Sequence, residues 1–143
     1  MENSFHYLLM ATHAVVHKEL LASLKDTGLT IGQPKVLDYL HDHDGASQTE
    51  IARACHIEAA TLTSLLNRME EKQLLVRRTL HGNRRTYYIF LTPQGQEMAA
   101  KVQQMFAQLE QKAFDGLEDK EQAELQRLLD RVYENLRKEK RSQ

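Results

Sequence analysis

The stretch that decides the fold runs from residue 47 to residue 91, SQTEIARACHIEAATLTSLLNRMEEKQLLVRRTLHGNRRTYYIFL. Ser47 is followed three residues later by Glu50, the spacing at which a cap hydroxyl and a carboxylate satisfy each other's orphan backbone amides. A short helix is therefore predicted from there through Ile51, Ala52 and Ala54, ending at about Cys55 to Ile57. A second helix follows over about residues 59–72, with Leu62, Leu65, Leu66 and Met69 on its apolar side and Thr61, Thr63, Ser64 and Asn67 largely off it. Two short helices joined by a tight turn, the second carrying small polar side chains in its first turns, make a helix-turn-helix pattern. A helix entering the major groove, about 12 Å wide, must present short donors and acceptors near its N-terminus, where bulk would block approach and backbone amides can meet phosphate.

The rest of the stretch strengthens that reading. Leu74, Leu75 and Val76 lead into Arg77, Arg78 and Thr79, and Thr86, Tyr87, Tyr88, Ile89, Phe90 and Leu91 follow His81, Gly82, Asn83, Arg84 and Arg85. Two runs rich in branched and aromatic residues around a Gly-Asn turn predict a β-hairpin with two arginines at its tip. Beside a helix-turn-helix, a basic hairpin is a wing, able to reach an adjacent minor groove or the backbone while the helix reads the major groove.

Outward from this unit the chain is helical. Leu8, Leu9, Ala11, Val15, Val16, Leu20, Leu21 and Leu24 predict an amphipathic helix over about 4–25, stopped near Gly28. Pro34 suits the first turn of a helix whose apolar face is Val36, Leu37 and Leu40 and which HDHDGAS breaks. Pro93 opens a helix through about residue 114 marked by Met98, Val102, Met105, Phe106, Leu109 and Phe114, and after Gly116 a last helix covers about 118–138 with Leu125, Leu128, Leu129, Val132 and Leu136. Long helices outside a compact winged unit require a shared core, and pairing them across a twofold axis supplies both that core and two reading heads for a palindrome.

Charge supports a polyanion partner. Residues 1–50 carry three lysines against seven acids, whereas residues 51–90 carry seven bases against three acids, so a basic middle is hidden in a net charge of −1. The 143 residues, 41% hydrophobic and 27% charged, suit one foldable domain with helices for a partner. No run approaches the apolar length of a membrane span and MENSF lacks the marks of a secretion signal, so a cytoplasmic protein with no membrane partner is expected. Cys55 is the only cysteine, which excludes a disulfide framework, and it reads as a packed thiol. No nucleotide-binding glycine loop, metalloprotease or serine-hydrolase motif or catalytic carboxylate pair occurs, so no enzyme activity and no cofactor are expected.

Leu29 to Ala99 resembles the MarR family of bacterial transcriptional regulators. The pieces that carry the likeness are Leu29 and Thr30 with Gln33, Val36, Leu37 and Leu40; Gln48 to Ala52; Ala60 to Leu75 with Thr61, Thr63, Arg68, Met69 and Glu70; the wing Asn83, Arg84 and Arg85; and Leu91, Thr92 and Gly95. The resemblance implies a mainly α fold with a small β-wing, a winged helix-turn-helix dimerised through its N- and C-terminal helices. In domain terms, residues 1–143 form one MarR-like domain, with 1–28 and 94–143 as dimerisation helices and 29–93 as the DNA-binding unit. It further implies a homodimer on palindromic double-stranded operator DNA, acting as a repressor that a small-molecule effector, often phenolic, relieves. Two positions depart from the family pattern: Asn83 stands where Asp is frequent, and Ser64 where many relatives carry Arg, so the operator sequence does not transfer.

On this reading Thr61, Thr63, Ser64 and Asn67 contact base edges, Ser47, Gln48, Arg68, Arg77 and Arg85 contact phosphates, and Arg84 is the minor-groove alternative. His6, His13 and His17 are candidates to line the effector pocket and hydrogen-bond an anion. His13 and His17, four apart, or His41 and His43 with Asp42 and Asp44, have metal-ligand chemistry, although no metal site is assigned. A winged-helix dimer serving as a protein-interaction module, and a metal- or redox-responsive regulator, are the alternatives.

Overall fold

The computed structural model describes residues 3–80, 82 and 84–141, the side chains of 139–141 excepted. His81 and Asn83, and with Asn83 the amide at the wing and the second residue of the Gly-Asn turn, lie outside the described residues. The order is α1 (Phe5–Ser23), α2 (Gln33–Asp42), α3 (Gln48–Cys55), α4 (Ala59–Glu71), β1 (Leu75–Arg78), β2 (Tyr88–Leu91), α5 (Pro93–Ala113) and α6 (Asp119–Arg141). The fold is mostly helical with one two-stranded antiparallel sheet. Two compact units divide it, one ending at Leu109 and the other beginning at Glu110.

The core of the larger unit is built where the apolar periodicities converge. Val36, Leu37 and Leu40 of α2, Ile51 of α3, and Leu62, Leu66 and Met69 of α4 are fully buried, and Leu75, Ile89, Ala99 and Val102 close the core from the sheet and α5. Local chemistry sets the boundaries. The Ser47 hydroxyl accepts the Glu50 amide at 3.1 Å and so caps α3, and α3 stops where His56 turns left-handed (φ 53°). After α4, Gln73 adopts the same region (φ 65°) and lets the chain reverse into β1, with the Leu74 amide donating to the Met69 carbonyl.

The hairpin is shorter than the two runs predict. Pairing extends from Leu75↔Leu91 to Arg78↔Tyr88, leaving Thr86 and Tyr87 outside the ladder. The other edge of β2 is engaged as well, by the segment that enters α3. Gly45 N–H donates to Ile89 O (2.8 Å), Ile89 N–H to Ala46 O (2.9 Å) and Gln48 N–H to Tyr87 O (2.9 Å). The base of the wing is thereby fastened to the N-terminus of α3.

The HDHD segment is spent on structure. Asp44 accepts the Leu91 amide at 2.8 Å, the His43 ring stacks on Tyr39 at 4.2 Å, and His41 lies 3.1 Å from Asp42 and 3.0 Å from Gln103. Among the described residues no three His, Cys, Asp or Glu side chains are grouped to hold a metal ion.

α5 begins in a tight passage. The Thr92 hydroxyl accepts the Gly95 amide (3.0 Å) and donates to Gln73 O (2.6 Å), while Thr92 N–H donates to Leu74 O (3.1 Å). By contrast, no residue of α1 is buried: of its predicted stripe only Leu24, just past the helix, reaches the core, and Met10 and Val15 are 63% and 62% exposed. In the smaller unit, a turn at Gly116 (φ 84°) leads into α6, where Leu125, Leu128, Leu129, Tyr133 and Leu136 all stand exposed. A helix row that apolar is covered in a stable assembly. Among the described residues no helix is long and apolar enough to cross a membrane.

Candidate nucleic-acid interface

Burying Leu62, Leu65, Leu66 and Met69 turns the opposite side of α4 outward, so that Thr61, Ser64, Asn67 and Arg68 are exposed. The helix periodicity that packs the core thus also lays out a polar row, short at Thr61, Ser64 and Asn67 and long at Arg68. Thr63 is half-buried and already engaged: its hydroxyl donates to Ala59 O (3.0 Å) and accepts from Gln48 Nε2 (2.8 Å). Ser47 is buried and its hydroxyl oxygen holds the α3 cap. Gln48, Ala59 and Arg85, with Thr49, Ala52, Thr86 and Tyr87, line a groove of about 270 Å³ between the starts of α3 and α4 and the root of the wing. Arg84 and Arg85 are exposed beside it.

Arg77 is tied inward. Its guanidinium donates to Asn67 Oδ1 at 2.6 Å and to Glu70 Oε1 at 3.1 Å, and lies 5.8 Å from the Tyr87 ring centroid. Its backbone amide donates to Glu70 Oε2 at 3.2 Å. The Arg77 hydrogen bond holds the Glu70 carboxyl below its ordinary range. Asn67 and Arg77, expected at bases and phosphates respectively, are therefore bonded directly to each other, and Arg77 is held as well by Glu70, a carboxylate to which the sequence assigned no role. The signal was faint: Glu70 and Arg77 flank a helix-to-strand turn, and no periodicity links them.

A second concavity, of about 530 Å³, opens between α1, the start of α2, the α3–α4 turn and α4. His13, Val16, His17 and Leu20 line it from α1, Ile31, Gly32, Pro34 and Lys35 from the start of α2, His56, Ile57 and Glu58 from the turn, and Thr61 and Leu65 from α4. The rings of His13 and His17 are 6.2 Å apart. His6, two turns earlier on α1, does not line this cavity. His56 and Lys35 do, although neither stood out in the sequence. Cys55, just before the turn, is buried and donates to Lys35 O at 3.5 Å; burial pushes its thiol up from the ordinary value, with Lys35 acting in the opposite direction.

The MarR family model matches residues 29–87, which contain α2, α3, α4, β1 and the chain between β1 and β2. The solved structure of transcriptional regulator PA3341 shares 31% identity and superposes with a TM-score of 0.85, over 94% of this chain and 99% of that one. The chain belongs to the MarR family. Among curated relatives of this MarR-family protein, a Thauera aromatica protein assigned to transcriptional regulation of the hcr operon is 32% identical over 74% of the chain. The match spans 64% of the length of that relative. Bordetella bronchiseptica BpsR, whose DNA binding is regulated by 6-hydroxynicotinic acid, superposes with a TM-score of 0.80 at 25% identity, over 90% of this chain and 97% of BpsR. The MarR-family relatives are transcriptional regulators rather than enzymes, and the mainly α, winged helix-turn-helix class expected from residues 47–91 is the class of these structures.

Proposed function

We propose that the chain is a homodimeric repressor that binds a palindromic double-stranded operator through α4 and the wing. A small aromatic anion in the α1–α2–α4 cavity relieves it. The observation that carries the DNA reading is the exposed row Thr61, Ser64, Asn67 and Arg68 on α4, next to a groove that Arg85 borders. Short polar groups suit base edges, and wing arginines suit the sequence-independent phosphate contacts that supply most affinity. Residues 29–93 act as the DNA-binding unit, and 1–28 and 94–143 act as dimerisation helices. Support for the second role is the exposed apolar side chains of α1 and α6, which a second copy of the chain would cover. Such a regulator works on the chromosome, in the cytoplasm.

The effector reading rests on the chemistry of the cavity. Its three imidazoles and the Lys35 ammonium outnumber one carboxylate, Glu58, and stand among Val16, Leu20, Ile31, Ile57 and Leu65, which suits an apolar body with an anionic or phenolic group. Thr61 belongs both to this lining and to the row assigned to DNA, so a ligand seated there bears directly on the N-terminal turns of α4. Preferring one conformation over the other is all that release requires.

The test is fluorescence anisotropy of the purified protein against its own upstream intergenic duplex and a scrambled duplex at two salt concentrations. Binding at least about 1000-fold tighter to the native duplex, and steeply weakened by salt, is expected. Equal, weak binding to this duplex, together with no enriched sequence in a selection from genomic fragments, overturns the DNA reading. Hydroxylated aromatic acids added to the complex should raise the operator Kd, and His17→Ala should bind operator yet lose that response; an unchanged response overturns the assignment of the cavity.

A further inference from the structure

Arg77, Glu70 and Asn67 form a chain of contacts across the α4–β1 corner, and its chemistry fixes more than packing. A guanidinium has five donors and no acceptor, so the Asn67 atom 2.6 Å from Arg77 is the amide oxygen. The amide therefore stands with Oδ1 toward β1 and its amino group at the other end. Glu70 prevents an easy exchange of ends, because it grips the Arg77 guanidinium at 3.1 Å and the Arg77 backbone amide at 3.2 Å. Tyr87, 5.8 Å from the guanidinium, adds a third restraint on the arginine. Asn67 itself is exposed on the outer row of α4, one turn beyond Ser64.

Resting on the proposal that α4 enters the major groove, we infer that Glu70 and Arg77 orient Asn67 so that it reads DNA with its amino group, favouring guanine over adenine at one position of each half-site. Guanine offers two acceptors at its major-groove edge, N7 and O6, to an amino group. The usual paired contact of asparagine with adenine needs the amide oxygen to accept from the adenine amino group while the nitrogen donates to N7. Turning Oδ1 to the base for that purpose would take it away from the guanidinium and leave Arg77 with one partner fewer. Glu70 and Arg77 are positioning residues here, and Asn67 is the reader.

The experiment is selection of bound duplexes from a randomised library with the full-length protein, followed by anisotropy titration on the selected operator and single-base variants of it. Native protein, Arg77→Lys, Arg77→Met and Asn67→Asp are compared, each first checked for an unchanged melting profile and oligomeric state. The native protein and Arg77→Lys, which keeps a donor against Oδ1, should prefer guanine over adenine by about 10-fold at one half-site position. Arg77→Met frees the amide and should bring that ratio to within about 2-fold, whatever uniform loss of affinity accompanies it. Asn67→Asp keeps the tie to Arg77 but removes the amino group, and should lose the preference for guanine. Where Arg77→Met fails the folding check, Asn67→Asp decides the matter, since it alters no core contact. An operator selected with adenine at every position that responds to Asn67, or a guanine preference that Asn67→Asp or folded Arg77→Met leaves intact, overturns this inference while the DNA reading stands. No enriched sequence at all overturns both.

Discussion

Of the glycines, Gly95 leaves the least room for a side chain, and replacing it by alanine should be costly. A Cβ built there stands 1.8 Å from the Leu74 carbonyl oxygen and 2.9 Å from its carbon. Carbon–oxygen contacts settle at about 3.3 Å, so the start of α5 and the end of the α4–β1 turn have to separate by roughly 1.5 Å. That movement takes apart the Thr92 amide bond to Leu74 O (3.1 Å) and strains the Thr92 cap on Gly95 (3.0 Å). Overpacking costs about 1–3 kcal/mol and a lost cap about 1 kcal/mol, while alanine in place of glycine inside a helix returns about 1 kcal/mol. The net loss is about 1–3 kcal/mol, or a fall in Tm of about 3–12 °C for a chain of this size. Circular dichroism melting at one fixed protein concentration measures it. Gly116→Ala is the comparison, because φ is 84° there but no atom lies within 4 Å of the added carbon, leaving backbone strain alone. If Gly95→Ala melts within about 1 °C of the native protein, or Gly116→Ala loses more, then α5 is not seated against Leu74 as described.

The Glu70–Arg77 tie carries its own pH signature. The Glu70 pKa is lowered on folding, so the tie's contribution to stability is present at neutral pH and is lost as pH falls below 4.5, the ordinary glutamate value, toward the depressed one. Urea denaturation should therefore separate native protein from Glu70→Gln at pH 7 and bring them together at the acid end; a gap that is constant with pH refutes the assignment. Cys55, buried and with its thiol pushed up, should alkylate with iodoacetamide at pH 7.5 at least about 10-fold more slowly in the folded than in the urea-unfolded protein, and comparable rates would reopen the redox reading. Arg85→Ala should weaken binding to operator and scrambled duplexes alike and reduce the slope of log K against log salt by about 1; a change confined to one operator base would make Arg85 a base reader.

How far the sequence could be read follows from the range of the interactions involved. α4 was legible because Leu62, Leu65, Leu66 and Met69 repeat at a helical period, and burying that side turns Thr61, Ser64, Asn67 and Arg68 outward as a matter of geometry. The α3 start was legible because Ser47 and Glu50 interact over three residues. The second pairing of β2 was not, since Gly45, Ala46 and Gln48 reach it from some forty residues away in the chain. Asp44 looked like part of a ligand loop for the same reason: nothing local says that its carboxylate will accept the Leu91 amide.

The two candidate sites divide along this line. Every member of the exposed α4 row sits on one element, so its grouping is a property of the local period. The cavity draws on α1, α2, the α3–α4 turn and α4, so its grouping is a property of packing. His13 and His17 were visible as a pair on α1, whereas His56 joins them because α3 ends on a left-handed residue and Lys35 because Gly32 starts α2 at φ 93°. Thr61 is the residue at which the two meet, exposed on the outer row and lining the cavity at once. An element answerable to both ligands is one way to couple a small molecule to DNA, because coupling is a difference in free energy between shared conformations. On the function proposed above, the first turns of α4 are such an element, and a substitution at Thr61 that moved effector and operator affinities independently would break the connection.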